Sequence, residues 1–178
     1  MKRWAALLKG VNVGGNRKLP MAELKAFMDG LGFTDVKTLL ASGNVVFSAK
    51  ETDAAKLETR IEQAAAEQIG LTTDFLLRDA DDLDAILAAN PFPDAAQDHP
   101  NHLLVVFHRE PFPEGLVERI PEYDDGPERL HAIGRTLYID YPRDIGHSTL
   151  HKAMAKLKFP KLATARNWNT VGKLRALL

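Results

Sequence analysis

The chain has 178 residues, no cysteine and a formal net charge of −1. The lack of cysteine excludes disulfides, thiolate metal sites, iron–sulfur clusters and cysteine nucleophiles. The length suits one large domain or two small subdomains, and such a chain buries enough surface to fold without a metal or a covalent cross-link.

The charges are distributed unevenly along the chain. Residues 1–50 carry a net charge of +5 and residues 143–178 one of +7, whereas residues 51–142 carry −13. Such asymmetry indicates either an anionic partner at the basic ends or internal pairing of the termini with the acidic middle. Both interpretations are open at the level of sequence.

The first half of the chain predicts the order β-α-β-β-α-β. Apolar residues recur at strand or helix spacing, and turn-forming glycines separate the segments. The predicted strands cover 3–8, 36–41, 45–49 and 72–77, and the predicted helices cover 20–31 and 57–69. This order is that of the ferredoxin-like, split βαβ motif.

The second half predicts a similar order without a closing strand. A helix over 79–90 precedes a connection over 91–101 that is rich in proline and aspartate. Strands over 103–108, 129–133 and 136–141 and helices over 113–120, 150–157 and 168–178 follow. We therefore predict an α+β protein with a ferredoxin-like βαββαβ subdomain, 1–90, and a second βαββα subdomain with a C-terminal helix, 91–178. The two subdomains are expected to pack tightly as one compact unit.

The apolar run near the N-terminus is short. It ends at Leu8, before Lys9 and Gly10, which is too early for a signal-peptide core or a membrane span. The run is therefore interpreted as a first strand, and the expected location is the cytoplasm, with no membrane association.

Two loops rich in glycine and asparagine indicate a candidate binding site. In a ferredoxin-like unit the first two strands run parallel, so the loop after strand one and the hairpin after strand two lie at the same end of the sheet. Glycine pairs let backbone N–H groups approach a ligand closely, and nearby lysines attract anions. The candidate residues are Lys9, Asn12, Gly14, Gly15, Asn16, Lys18, Ser42 and Asn44. Ordinary turn chemistry is the alternative.

A third polar segment lies near the C-terminus. It combines Arg166, Asn167, Asn169 and Thr170 around Trp168, and it is a further candidate for ligand binding. The alternative is a helix N-terminus whose amide side chain caps the helix. An anionic or nucleotide-like small molecule is the leading ligand hypothesis.

Familiar catalytic and cofactor motifs are missing from the sequence. The loop after strand one lacks the P-loop spacing and the Rossmann G-x-G-x-x-G pattern. His147 and His151 share i, i+4 spacing, but the glutamate of H-E-x-x-H is absent, so no metal site and no cofactor is predicted. Catalytic residues, and whether the protein is an enzyme, stay open, as does the oligomeric state.

Nucleic-acid binding is the main alternative function. An RNA-recognition sheet needs stacking aromatic residues, and here only Trp4 and Phe47 lie in the corresponding strands. The sequence pI of about 6.6 does not favour a nucleic-acid partner either. A nucleic-acid or protein-interaction module using the basic termini remains the alternative hypothesis.

Three sequence blocks together resemble a known bacterial family. They are residues 7–15, residues 42–47 and residues 164–174, the last containing Arg-Asn-Trp-Asn-Thr. In this order they are similar to the family called domain of unknown function 1697. The resemblance implies an α+β fold with ferredoxin-like elements and implies no catalytic residues.

The chain departs from that family pattern at two places. Lys9 stands where the family usually has arginine, and Leu39 and Ala41 stand where an aromatic residue and a glutamine are common. Lysine keeps the positive charge but not the bidentate geometry of a guanidinium. An arginine-dependent ligand geometry is therefore not expected at Lys9.

Overall fold

The computed structural model describes residues 1–15 and 17–178. The chain forms two compact units: residues 1–85 with 173–178, and residues 86–172. Strands in the described residues form one four-stranded antiparallel sheet in each unit, which confirms the predicted α+β class. None of the helices in these residues is long and apolar enough to cross a bilayer.

The first unit has the predicted ferredoxin-like order. Its sheet is arranged β2-β3-β1-β4, and every neighbouring pair of strands is antiparallel. Strands β1 and β2 both run antiparallel to β3, so their C-terminal ends lie at the same end of the sheet. Residues 2–88 form β1 Lys2–Leu8, α1 Met21–Gly30, β2 Thr34–Thr38, β3 Asn44–Ala49, α2 Ala54–Gln68, β4 Phe75–Arg78 and α3 Ala80–Ala88, whose residues from 86 onward belong to the second unit.

The core of the first unit forms between one face of this sheet and helices α1 and α2. Side chains alternate across a strand, so Trp4, Ala6 and Leu8 of β1 point to the same face. They are buried in one cluster with Phe47 of β3 and Ile61 of α2. This packing fixes the end of β1, from which the candidate loop departs.

The second unit has a sheet in the equivalent order β6-β7-β5-β8. Its core contains Val106, Leu137 and Ile139 from the sheet and Leu150 from the following helix. Residues 93–176 form α4 Pro93–Asp98, β5 Leu103–His108, β6 Arg129–Ile133, β7 Thr136–Asp140, α5 Leu150–Lys156, β8 Ala163–Asn167 and α6 Trp168–Ala176, whose residues from 173 onward belong to the first unit. Short 3-10 helices cover Pro100–His102 and Val117–Glu122.

Strand β8 corrects the prediction that the second subdomain lacks a closing strand. Its sequence, Ala-Thr-Ala-Arg-Asn, has no run of large apolar residues, so it gave no strand signal. The strand is stabilised by pairing with β5, from Leu104 opposite Asn167 to His108 opposite Ala163. The second unit therefore completes the βαββαβ order, with a 3-10 helix in place of the first α-helix.

Several predicted boundaries were also wrong for local reasons. The helix expected over 113–120 is a turn followed by the 3-10 helix Val117–Glu122, whose Pro121 cannot donate a helical hydrogen bond. Strand β2 ends before Leu40, because Leu40 has a φ of +59°, outside the strand region. Helix α5 begins at Leu150, so His147 precedes it and the i, i+4 spacing of His147 and His151 does not place the two imidazoles on one helix face.

The two units repeat one hydrogen bond at the end of their first strand. Leu8 donates its N–H to the Gly43 carbonyl at 2.9 Å, and His108 donates its N–H to the Arg135 carbonyl at 2.9 Å. Each bond joins the residue that ends the first strand to the turn of the following hairpin. The similar order of elements in the two halves therefore extends to individual bonds.

Candidate ligand-binding site of the first unit

Asn12 holds the loop after β1 against the hairpin turn between β2 and β3. Its Nδ2 donates to the carbonyls of Leu19 at 2.9 Å and Ala41 at 2.7 Å, and its Oδ1 accepts from Leu19 N–H at 2.7 Å. Asn12 has a φ of +56°, a conformation that asparagine tolerates better than most residues. Both amide hydrogens are used within the protein, so this side chain positions the loop.

Asn44 and Ser42 stabilise the hairpin turn through side-chain hydrogen bonds on its inner side. Asn44 is completely buried, and its Nδ2 donates to the Leu39 carbonyl at 2.8 Å and to the Ser42 hydroxyl at 2.9 Å. Gly43 has a φ of +90°, and a Cβ there would lie 2.5 Å from Val11 Cγ2. The turn and the loop are therefore packed so closely that only glycine fits at 43.

A pocket of about 430 Å³ borders the loop on its open side. Lys18 provides its cationic side chain, and the glycine pair at 14 and 15 provides backbone. An added Cβ at Gly14 or Gly15 would meet no atom within 4 Å, so this backbone faces open space. The remaining lining residues are Asn12, Leu19, Pro20, Met21 and Ala41, which give the wall a mainly apolar character.

The N-terminus of α1 forms part of the same pocket. Pro20 precedes the helix and makes no side-chain capping bond, and the first intrahelical donor is Glu23 N–H, bonded to the Pro20 carbonyl at 3.0 Å. The N–H groups of Met21 and Ala22 thus have no partner within the helix. Such groups, together with the helix dipole, favour an anion at this end.

Lys9 and Lys18 line two different pockets. That second pocket, of about 390 Å³, is lined by Lys9, Arg17, Thr73 and Asp74 among others. The Thr73 hydroxyl donates to the Lys9 carbonyl, and Arg17 donates to the Ile69 carbonyl at 3.0 Å. The loop therefore places Lys18 at one pocket and Lys9 and Arg17 at another. The carboxylate of Asp74 partly offsets the positive charge of the pocket that Lys9 lines.

Arg166 lies in the second unit and is almost completely buried, with 6% of its surface exposed. Its Nη1 donates to Thr164 Oγ1 at 2.7 Å and to the Ala165 carbonyl at 2.8 Å. Burial disfavours the charged form and lowers the pKa of the Arg166 guanidinium to about 10. These contacts give Arg166 an internal structural role in strand β8.

The other residues of this segment organise the start of α6. Asn167 Oδ1 accepts from Thr170 N–H at 3.0 Å and from Thr170 Oγ1 at 3.1 Å, which is an N-terminal helix cap. Asn169 Nδ2 donates to Asn101 Oδ1 at 2.9 Å. The capping alternative given by the sequence therefore accounts for the bonds between Asn167 and Thr170. A ligand role for Arg166, Asn167, Asn169 and Thr170 stays a prediction.

The family model for proteins of unknown function named DUF1697 matches residues 1–138. This chain belongs to the DUF1697 family. The matched range includes the loop after β1 and the hairpin turn. It ends before Arg166, so the C-terminal segment that resembled the family most specifically lies outside the match. The curated proteins contain no significant match to this DUF1697 chain.

The DUF1697 chain also resembles a solved structure along its whole length. A conserved bacterial protein, SP0830 from Streptococcus pneumoniae, matches with a TM-score of 0.74 at 24% sequence identity. The match covers 99% of this chain and 98% of the other. Similarity at this level of identity establishes a shared fold.

The basic N- and C-terminal segments of this family member are partly neutralised within the first unit. Lys2 pairs with Asp79 at 2.9 Å, and Arg175 pairs with Asp84 at 2.6 Å. The hydrogen bond from Arg175 lowers the pKa of the Asp84 carboxyl below its usual range. These pairs support the interpretation in which the termini pair with the acidic middle, and binding of a nucleic acid or a protein at the basic ends stays an untested alternative.

One polar cluster of the second unit gave no signal in the sequence. Asp140 is 1% exposed and bonds His99 Nε2 at 2.6 Å and Arg129 Nε at 2.8 Å. Arg129 also contacts Asp94 at 2.9 Å. Residues so far apart in sequence are brought together only by folding, and the cluster joins α4 to the β6–β7 hairpin.

Among the predicted candidates, Asn16 lies outside the described residues.

Proposed function

We propose that the first unit binds a small organic anion in the pocket lined by Gly14, Gly15 and Lys18. The observation that carries this proposal is the combination of one lysine, glycine backbone facing open space and an uncapped helix N-terminus around a single pocket. Each of these features favours a negative group, and they converge in one place.

The apolar wall restricts the kind of anion that fits. Pro20, Met21 and Ala41 cover much of the pocket and offer no charge, while Lys18 supplies one cation. A ligand with one anionic group and an apolar or flat body matches this lining better than a polyphosphate. Carboxylates and phosphate monoesters, including nucleotide-like molecules, belong to this class. A volume of about 430 Å³ lies in the usual range for small-molecule sites.

Asn12 lines the pocket but uses both amide hydrogens within the protein, and Asn44 is buried inside the hairpin turn. The Asn12 amide joins the loop to the turn and the Asn44 amide closes the turn itself, and these bonds fix the backbone around Gly14 and Gly15. A preformed loop loses little conformational entropy on binding, which raises affinity. The proposal concerns binding and assigns no reaction.

Calorimetric titration with a small panel of ligands tests the proposal. The panel is inorganic phosphate, adenosine monophosphate and hexanoate, each titrated into the wild-type protein and into Lys18→Gln. We expect binding of at least one organic anion and about ten-fold weaker binding by Lys18→Gln, as expected for loss of one charge-assisted contact. Lys37→Gln, which removes an exposed lysine of β2 outside the pocket, is the matched control and should bind like wild type.

Gly15→Val provides an independent test by occupying the pocket. Gly15 has a φ of +81°, so the variant also strains the loop, and its fold must be checked by circular dichroism. A folded Gly15→Val protein should lose binding. The proposal fails if the panel gives no heat with wild type at ligand concentrations up to about 10 mM. It also fails if Lys18→Gln and Lys37→Gln bind equally well.

A further inference from the structure

The second unit contains a groove of about 440 Å³ along strand β6. Its position corresponds to that of the first unit's pocket. Residues 109–116 follow β5 as residues 9–20 follow β1, and both cavities lie between this connection and the neighbouring hairpin. The groove residues used below are Phe112, Glu114, Glu118, Leu130 and Ala132.

The backbone of β6 is available for pairing on its outer side. Strand β6 is an edge of its sheet and, within residues 1–15 and 17–178, pairs only with β7. Ile133 lies opposite Thr136 across a two-residue turn, so the pair forms mutual hydrogen bonds and the bonding alternates along the strand. The N–H and C=O groups of Leu130 and Ala132 therefore point away from β7. These two residues also line the groove.

The groove has the opposite charge to the pocket of the first unit. Among the described residues its lining contains the exposed carboxylates Glu114 and Glu118 and no lysine or arginine. The neighbouring Arg119 is directed to Glu122, with Nε 2.9 Å from the carboxylate. Phe112 is 8% exposed and adds apolar surface at the base of the groove. The lining is therefore complementary to a basic and partly apolar partner.

We propose that this groove binds an extended basic segment of a partner protein, which adds a strand to the outer edge of β6. Main-chain bonds to Leu130 and Ala132 give such a segment its register, as in other cases of strand addition. Alternate side chains of the added strand face the groove, where Lys or Arg contacts Glu114 and Glu118. A small cation would use the carboxylates but not the backbone edge, so an extended peptide fits both features.

Fluorescence anisotropy with labelled synthetic heptapeptides tests this inference on the full chain. The first peptide alternates lysine and valine, the second replaces each lysine by glutamate, and the third places proline at the central position of the basic peptide. We expect the basic peptide to bind, and to bind more weakly when NaCl is raised from about 50 to about 300 mM. The acidic peptide should not bind, and proline should weaken binding because it removes a main-chain donor.

Variants of the groove distinguish a specific site from general attraction. Glu114→Gln combined with Glu118→Gln should weaken binding of the basic peptide by about ten-fold, whereas the pair Glu67→Gln with Glu110→Gln, which removes equal charge outside the groove, should not. Equal effects of the two pairs would overturn the inference, as would equal binding of the proline peptide. Absence of binding at about 1 mM protein would overturn it as well.

Light scattering identifies self-association as a competing outcome. The competing occupant is the loop after β1 of another copy of this chain, which carries Lys9, Arg17 and Lys18. A concentration-dependent dimer that is lost in the Glu114→Gln, Glu118→Gln protein would show that the occupant is a second copy and would overturn the partner-protein proposal. A monomer at all concentrations, together with peptide binding, supports it.

Discussion

Arg78 and Arg166 occupy the same position in equivalent strands of the two units. Arg78 lies opposite Ala5 in the ladder between β1 and β4, and Arg166 lies opposite Val105 in the ladder between β5 and β8. Both side chains are almost completely buried, with 2% and 6% of their surface exposed. Two buried arginines at one register position are an internal repeat that direct comparison of the two halves does not show.

The residue after each arginine caps the next helix in the same way. Asp79 Oδ1 accepts from Asp82 N–H at 2.8 Å, and Asn167 Oδ1 accepts from Thr170 N–H at 3.0 Å. The Arg-Asn-Trp-Asn-Thr segment is therefore the second occurrence of a buried arginine near the end of a strand that leads into a capped helix. This relationship gives the segment an architectural role that is independent of any ligand.

Truncation of Arg166 should destabilise the protein. Arg166→Ala removes the bonds to Thr164 and Ala165 and vacates buried volume, so we expect the free energy of unfolding to fall by about 3 kcal/mol in urea denaturation. Arg166→Met keeps most of the volume and removes the buried charge, so its loss should be smaller. Arg175→Ala is the control, since that side chain pairs with Asp84 at the surface. The assignment is wrong if the two alanine variants are equally stable.

A side chain at position 43 should disrupt the packing between the loop after β1 and the turn that joins β2 to β3. Gly43→Ala places a Cβ 2.5 Å from Val11 Cγ2 and 3.1 Å from Leu8 Cβ at a φ of +90°. Steric overlap and backbone strain together should cost about 3 kcal/mol in thermal or urea unfolding. Gly134→Ala has a positive φ but open space around its Cβ, so it should cost only about 1 kcal/mol. Similar losses in the two variants would contradict the close packing at Gly43.

Removal of the Asn12 side chain should affect both stability and ligand binding. Asn12→Ala leaves the Ala41 carbonyl and Leu19 N–H without their partner, and we expect a loss of about 2 kcal/mol in the free energy of unfolding. The loosened loop should also bind the organic anion more weakly in calorimetry. Asn101→Ala, which removes a single exposed amide contact, is the matched control. Unchanged stability of Asn12→Ala would show that the loop is held by other contacts.

Ionisation of Tyr138 should weaken the folded state at high pH. Burial raises the pKa of this phenol from its ordinary value of 10.0 to about 12, and its hydroxyl donates to the Ile86 carbonyl at 2.6 Å. Because the folded pKa exceeds the unfolded one, the stabilisation is complete below pH 10 and is lost as the pH rises through about 12.

A tyrosinate absorbance titration measures this step. The chain has three tyrosines, and Tyr138→Phe should remove the contribution that ionises near pH 12, provided that circular dichroism shows a folded protein there. An identical titration curve for the Tyr138→Phe protein would contradict the assignment. The same substitution should lower the free energy of unfolding by about 1 kcal/mol near pH 7, through loss of the bond to Ile86.

The order of helices and strands in the first unit could be predicted from the sequence. Leu24, Phe27 and Met28 recur at helical spacing, and Ser42-Gly43-Asn44 separates two apolar segments as a hairpin turn should. Once this order is established, the meeting of the loop after β1 with that turn follows from strand direction alone. The observed bond between Asn12 and Ala41 agrees with this expectation.

The element order of the second unit was harder to predict from the sequence, because its closing strand β8 is stabilised by pairing with β5. Ala163–Asn167 contains small and polar residues and becomes a strand by pairing with β5, about 60 residues earlier in the chain. The same dependence applies to the cluster of His99, Arg129 and Asp140, whose members have no shared sequence pattern. Local propensity carries little information where distant pairing supplies the stabilising bonds.

Strand alternation and glycine turns are local properties, so the sequence predicts where the polar glycine- and asparagine-rich loops lie and that two of them meet at one end of the first sheet. What the side chains of these loops contact depends on the tertiary structure. Asn12 donates to the carbonyls of Leu19 and Ala41 and Asn44 donates to the carbonyl of Leu39. Lys18, Gly14 and Gly15 instead line an open pocket. That division depends on which groups folding brings within hydrogen-bonding distance, and sequence spacing does not specify it.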